Sequence, residues 1–232
     1  MITIRAAADR GRGVRGWLDS RFTFSFADYY DRRHMGFRAL RVINDDRISP
    51  SGGFGMHPHE NMEILTWVLE GAVEHKDSTG TDAVIRPGEI QRMSAGTGIV
   101  HSEFNPSKTE PLHLLQIWLL PDENGLKPGY EQTFFSTEKL DGKLRPVATP
   151  DGKDGSVTIH VDARVLIGRF DAGQEATYKL SPGRHAWVQV ARGDVDLNGQ
   201  PLHEGDGAAI TGEEALHLVG QKQSEVLVFD LA

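Results

Sequence analysis

The sequence predicts an all-β protein built from two similar lobes. Three observations carry this. Short β-branched or aromatic runs recur along the whole chain, helical periodicity is scarce, and the runs are bounded by Gly, Pro, Asn and Asp. In chain order, the runs Arg38–Asn44 and Met62–Glu70 read as strands, the latter almost wholly apolar around Ile64, Leu65, Trp67, Val68 and Leu69. Ala83–Ile85 is closed by the turn Arg86-Pro87-Gly88, and Gln91–Ser94 and His113–Leu120 follow. Pro121 to Gly155 is rich in Gly, Pro, Lys and Asp and reads as a linker. Beyond it come Thr158–Arg169, Ala176–Leu180 with its stop at Ser181-Pro182-Gly183, Ala186–Ala191, the hairpin signal Asn198-Gly199, Gly207–Ile210 and Glu225–Asp230.

The second lobe reads as a worn copy of the first. Setting Gly71-Ala72-Val73 on Gly193-Asp194-Val195 places Ile64–Leu69 over His185–Ala191, and Pro87-Gly88-Glu89 over Glu204-Gly205-Asp206. On that register His57 and His59 fall on Lys179 and Ser181, and Glu103 on Gly220, so a single site is expected, in the first lobe.

A net charge of −8 and a pI near 5.7 argue against a broad basic surface for nucleic acid. The complete lack of cysteine excludes disulfides, thiolate metal sites and cysteine nucleophiles, and fits a reducing compartment. Met1–Gly16 has no apolar segment of a secretory signal, and no run of about eighteen apolar residues exists, so a soluble cytoplasmic protein away from membranes is expected.

His57-Pro58-His59, then Glu63, then His101-Ser102-Glu103 carry the chemistry. The two-residue period of a strand sends His57, His59 and Glu63 to one face, and His101 and Glu103 to one face of another strand. Three imidazoles and a carboxylate suit a mononuclear iron, manganese, nickel, copper or zinc ion.

The pattern His57-x-His59-x-x-x-Glu63, Gly71, Gly88, Gly96, Gly98-x-x-His101-x-x-x-Asn105 resembles the two cupin signatures, with Ser94 where proline is usual and two extra residues between Gly96 and His101. Both departures are those of the pirin branch. Phe54-Gly55-Met56-His57-Pro58-His59, Leu69-Glu70-Gly71, Met93–Glu103, Thr23-Phe24-Ser25-Phe26 and Gln116-Ile117-Trp118 resemble pirin motifs, and Gly16-Trp17-Leu18-Asp19, Ala27-Asp28-Tyr29-Tyr30 and Arg41–Asp46 resemble the bacterial pirin-like quercetin 2,3-dioxygenases.

The resemblance implies a bicupin, two tandem jelly-roll β-barrels with few short helices: a metal-binding domain over 1–130, a linker over 131–155 and a cupin-like domain without ligands over 156–232. It implies one divalent transition metal ion, iron first with manganese, nickel, copper and zinc as alternatives, held by His57, His59, His101 and Glu103. Glu63 is the alternative ligand, and either Glu103 or Glu63 is the catalytic base. The implied activity is dioxygen-dependent opening of a flavonol such as quercetin with release of carbon monoxide. The alternative is a metal-binding regulatory protein acting through a protein partner. A monomer suffices for either.

Other residues are expected to play structural parts. His75 and His113 read as polar strand neighbours, and His34, His160, His185, His203 and His217 as structural. Gly96-Thr97-Gly98 reads as a tight turn rather than a phosphate cradle, because no Lys-Ser/Thr follows. Arg5, Arg10, Arg12 and Arg15 read as a solvated segment and Trp118 as packing. Trp67, Phe104 and Met62 stay open between packing and lining a pocket.

Overall fold

The computed structural model describes residues 1–232 and is made almost entirely of strands. In chain order these are β1 (Ile2–Arg5), β2 (Gly11–Arg15), β3 (Leu18–Phe22), β4 (Leu40–Ile48), β5 (Gly53–His59), β6 (Glu63–Glu70), β7 (Val73–Asp77) and β8 (Asp82–Ile85). They continue as β9 (Glu89–Ser94), β10 (Ile99–Phe104), β11 (Leu112–Leu119), β12 (Gly129–Phe134), β13 (Arg145–Thr149), β14 (Val157–Thr158) and β15 (Ala163–Phe170). The last are β16 (Glu175–Lys179), β17 (His185–Arg192), β18 (Asp194–Leu197), β19 (Gln200–His203), β20 (Gly207–Thr211), β21 (Ala215–Gly220) and β22 (Ser224–Leu231). One helical turn, α1 (Thr137–Leu140), interrupts them, with two three-residue 3-10 turns. No helix is long and apolar enough to cross a membrane.

The chain divides into two compact units, one of Gly11–Phe134 with Val157–Val161, the other of Met1–Arg10, Phe135–Ser156 and Asp162–Ala232. The first unit pairs a large sheet, ordered β12-β9-β6-β11-β4-β3-β2, with a four-stranded sheet, β5-β10-β7-β8. The second repeats the plan, with β1-β20-β17-β22-β15-β13 and β16-β21-β18-β19. Strand for strand, β9-β6-β11-β4-β3 corresponds to β20-β17-β22-β15-β13, so the tandem repeat is real. Neighbouring strands pair antiparallel in both units, as in double-sheet jelly rolls.

β6 lies centrally because it is apolar on both faces: only Glu70 of its eight residues is exposed. β4 runs four residues past its expected end, to Ile48. Asp45, Asp46 and Arg47 hide that extension from an apolar pattern, yet both aspartates are buried in the ladder. The stretch expected as a linker instead holds β12, α1 and β13, and β12 completes the edge of the large sheet by pairing with β9. Met1–Arg10 joins the C-terminal unit, because β1 pairs with β20 and the N-terminal amine donates to Thr211 O (2.6 Å) and Glu213 Oε1 (2.5 Å). The expected strand Thr158–Arg169 is broken between β14 and β15.

The second unit fills its interior with hydrocarbon. Leu180, Val195, Leu197, Leu202, Leu216 and Leu218 are buried in one cluster. Matching Gly71 to Gly193 sets His75 on Leu197, whose ladder partner is Leu218, as Glu103 is the partner of His75. Glu103 therefore corresponds to Leu218 rather than Gly220. β9 has six residues and β20 five, and the turn at 95–98 is one residue longer than that at 212–214, which accounts for the two-residue slip.

Candidate metal centre

β5 and β10 pair with His101 directly opposite His57, and His59 opposite Ile99. The strand period then puts His57, His59 and His101 on one face, as their spacing predicts, with ring centroids 4.4 Å (His57 to His101), 4.8 Å (His57 to His59) and 4.9 Å (His59 to His101) apart. One ligand atom from each lies within 4.8 Å of the others. Between His101 and Glu103 the β5 side of the ladder shifts register, so Glu103 faces Phe54. Glu103 clusters within the same 4.8 Å with His101 and with His75, which sits opposite it on β7.

Glu63 is not part of this cluster. After His59 the turn through Asn61 (φ 47°) carries the chain from the small sheet into the large one, and strand alternation starts afresh at β6. The Glu63 carboxylate is buried against His160, whose Nδ1 lies 3.3 Å from its Oε1. His160 thus has a satisfied structural role, as does His113, whose Nε2–H donates to Asp45 (2.7 Å).

The donor atoms are prepared for a cation. His57 Nδ1–H donates to the Gly55 carbonyl (2.8 Å), which leaves Nε2 as a lone pair. Gln116 donates to Glu103 Oε2 (2.7 Å), while Glu103 Oε1 and His101 Nε2 are buried with no hydrogen-bond partner. Two buried polar atoms without a partner in one cluster fit a site for a cation. Burial, reinforced by neighbouring imidazoles, holds His101 down to about 2 and His59 to about 4, so both rings are neutral ligands at neutral pH. Burial pushes the Glu103 carboxyl up, against the opposing hydrogen bond from Gln116 and the neighbouring imidazoles. Three imidazoles and one carboxylate oxygen fit a first-row divalent ion.

His57, His59 and Glu103 line one wall of a cavity of about 590 Å³, within the ~300–1,000 Å³ typical of small-molecule sites. Phe22, Phe26, Tyr29, Phe54 and Trp118 supply aromatic walls, and Ser20, Asn44, Asp46 and Gln116 a polar stripe. Trp118, expected merely to pack, lines this cavity with its ring edge-on to His59 (4.9 Å) and to Phe26 (5.2 Å). Sequence alternation had the signal: Gln116 and Trp118 share a strand face. Arg12 and Arg15 also reach the cavity wall instead of forming a merely solvated segment. Trp67 is wholly buried, Met62 packs against Ile64 and Met93, and Phe104 points out to solvent.

Asp46 was missed by the sequence reading, since its site partners lie on other strands. The Ser20 hydroxyl donates to it. Burial pushes its carboxyl up to about 7, and Asp45 and Glu103 add to this. The native state then holds a proton that the unfolded chain has released, so metal-free protein loses stability as pH rises from about 4 to about 7. Asp46→Asn is expected to melt above the parent at pH 8, with a gain of about 2 kcal/mol or more, and to show little gain at pH 4. Equal melting of the two proteins at pH 8 would contradict this.

The pirin family model matches residues 4–119, and a model described as the quercetinase C-terminal cupin domain matches residues 146–231. The chain is 50% identical to quercetin 2,3-dioxygenase of Escherichia coli K12 over 231 residues, covering all of this chain and 99% of that protein. The crystal structure of the bacterial pirin YhhW from E. coli in complex with nickel(II) superposes with a TM-score of 0.95 at 49% identity, covering 100% of this chain and 99% of that one. A quercetin 2,3-dioxygenase from Acinetobacter baumannii shares the fold, with a TM-score of 0.80 at 22% identity over 98% of this chain and 85% of that one.

Proposed function

The chain belongs to the pirin family of bicupins, and from that premise we propose that it is a metal-dependent dioxygenase opening flavonols such as quercetin. The observation that carries this reading is the pair of orphaned acceptors, His101 Nε2 and Glu103 Oε1, beside His57 and His59 at the wall of an aromatic-lined cavity. A relative named quercetin 2,3-dioxygenase at 50% identity and a nickel-bound pirin structure support it.

His57, His59, His101 and Glu103 would hold the ion. Bound there, such an ion would supply Lewis-acid polarisation of the flavonol 3-hydroxyl. Glu103 receives the proton of that hydroxyl: it is the only carboxylate in the histidine cluster, and Gln116 fixes its Oε2. Glu63, facing His160, stays out of the proton's path. Phe22, Phe26, Tyr29 and Trp118 offer flat faces to the planar flavonol rings and exclude water from the reacting end. Ser20, Asn44 and Asp46 offer hydrogen bonds to its phenolic hydroxyls. Opening the central ring then yields a depside and carbon monoxide. The lack of cysteine suits a reducing compartment, and we assign the enzyme to the cytoplasm as a monomer.

The test is carbon monoxide release from quercetin under air, with protein stripped of metal and reloaded separately with iron(II), manganese, nickel, copper or zinc. Release with at least one ion and none from stripped protein is expected. Absence of release with every ion, at confirmed occupancy, would overturn the reading.

A further inference from the structure

Beside the histidine cluster lies a second buried pair, His75, expected only as a polar strand neighbour, and Asp77. His75 and Asp77 sit on β7, opposite Glu103 and His101 of β10, and point into the same interior. His75 and His101 are fully buried, and Asp77 nearly so. The His75 ring lies with its Nε2 3.0 Å from Asp77 Oδ2 and its Nδ1 3.4 Å from His101 Nδ1. The Tyr130 ring packs against it at a tilt of 37°, with ring centroids 5.0 Å apart.

We propose that Asp77 and His75 are positioning residues that fix the tautomer of His101, and so keep its Nε2 lone pair aimed at the metal. Asp77 accepts the Thr79 hydroxyl (2.6 Å) and the Thr79 and Thr81 amides (2.8 and 3.2 Å), so it is held in place as an ionised acceptor. Its Oδ2 can only accept, so the proton between it and His75 belongs to His75 Nε2. In a neutral His75 ring that leaves Nδ1 as the acceptor in the contact with His101, and His101 then donates from Nδ1. The one His101 nitrogen then left without a proton is Nε2, the atom that is buried and unpartnered at the cluster. The opposite tautomer would put two lone pairs face to face at 3.4 Å and aim an N–H at the ion. Each link is a short-range constraint between buried groups, so the orientation is set before any ion arrives.

The proposal rests on the metal reading above and is tested in a way that separates the two. His75→Phe keeps a ring to pack against Tyr130 but removes the acceptor; His75→Gln restores a carbonyl acceptor. Long-range 15N–1H spectra of the metal-free proteins report the His101 tautomer, and nickel(II) affinity comes from competition with a chromogenic chelator. Wild type is expected to show a single His101 Nδ1–H tautomer and one nickel per chain. His75→Phe is expected to show mixed tautomers and a 10–100-fold weaker nickel affinity, and His75→Gln to recover most of both. Wild-type protein that binds none of nickel(II), iron(II), manganese, copper and zinc in the same competition overturns the metal reading and this inference with it. One nickel in wild type, with unchanged affinity and tautomer in folded His75→Phe, overturns the inference alone. Two nickel ions per wild-type chain, one of them lost in His75→Phe, would make His75 a ligand and also overturn it.

Discussion

Replacing His57 with alanine is expected to strip the metal and abolish turnover while the fold survives. His57 sits half-buried at the cavity rim, and its Nδ1–H donates to the carbonyl of Gly55, two residues away on its own strand. Losing that bond costs about 1 kcal/mol, and the β5–β10 ladder does not depend on the imidazole. The ion, by contrast, would lose one of three clustered nitrogen donors. Removing a partner outside the coordination sphere already costs ~10–100-fold in affinity, so removing a ligand is expected to cost more than about 100-fold. Metal content after dialysis, melting temperature and carbon monoxide release should be read on the same sample. Retention of a full equivalent of metal by His57→Ala would contradict the assignment of the cluster; loss of metal with an unchanged melting curve of the apo protein would support it.

Gly96→Ala is expected to damage the fold and the site together. Gly96 has φ 49°, and a Cβ there would lie 1.9 Å from the Leu126 carbonyl oxygen and 2.7 Å from its carbon. Both are backbone atoms with nowhere to swing. The turn is clasped on both sides: Gly96 O accepts from Asn61 N (2.9 Å), Ala95 N donates to Met62 O (2.8 Å) and Thr97 N to Leu126 O (2.8 Å). Relief of the clash must therefore break one clasp or the other. Positive-φ strain and a lost buried hydrogen bond together amount to about 3 kcal/mol or more, which lowers the melting temperature by roughly 6 °C or more in a chain of this size. β10 begins three residues later, so His101 and Glu103 should lose register and the metal affinity should fall as well. Gly55→Ala is the control: it lies on β5 next to the site, yet a Cβ there has open space and the backbone is ordinary. A melting temperature for Gly96→Ala within 2 °C of the parent would contradict the argument.

The sequence was legible wherever one strand carried the whole signal. His57 with His59, and His101 with Glu103, each needed only the two-residue period, and the repeated glycine turns made the tandem plan readable. It was misleading where the chain changed sheets. Glu63 follows His59 at an even spacing, but Asn61 turns the chain between them and cancels the alternation. It was silent where partners meet across a ladder, because the pairing of Glu103 with His75, or of Ser20 with Asp46, is set by registers that no local pattern encodes. Strands with acidic or basic residues on the inward face, such as the end of β4, were clipped for the same reason: a polar residue inside a barrel looks like a loop residue in one dimension. The linker was misjudged because β12 and β13 are edge or near-edge strands, where Gly, Pro and Lys are tolerated.

The four donors differ in depth, and that difference bears on how an ion comes and goes. His101 and Glu103 lie under the surface, 0% and 2% exposed, whereas His57 and His59 stand half-open at the cavity rim. An arriving ion would meet the outer pair first and settle onto the inner pair; a competing chelator would attack from the same side and displace the outer pair first. Such a cup is open to exchange, unlike a closed cage that traps the ion present when the chain folds. Nitrogen and oxygen donors without a thiolate accept several first-row ions, among which geometry and availability decide. The resident metal would thus be re-chosen throughout the life of the protein by the ions then within reach.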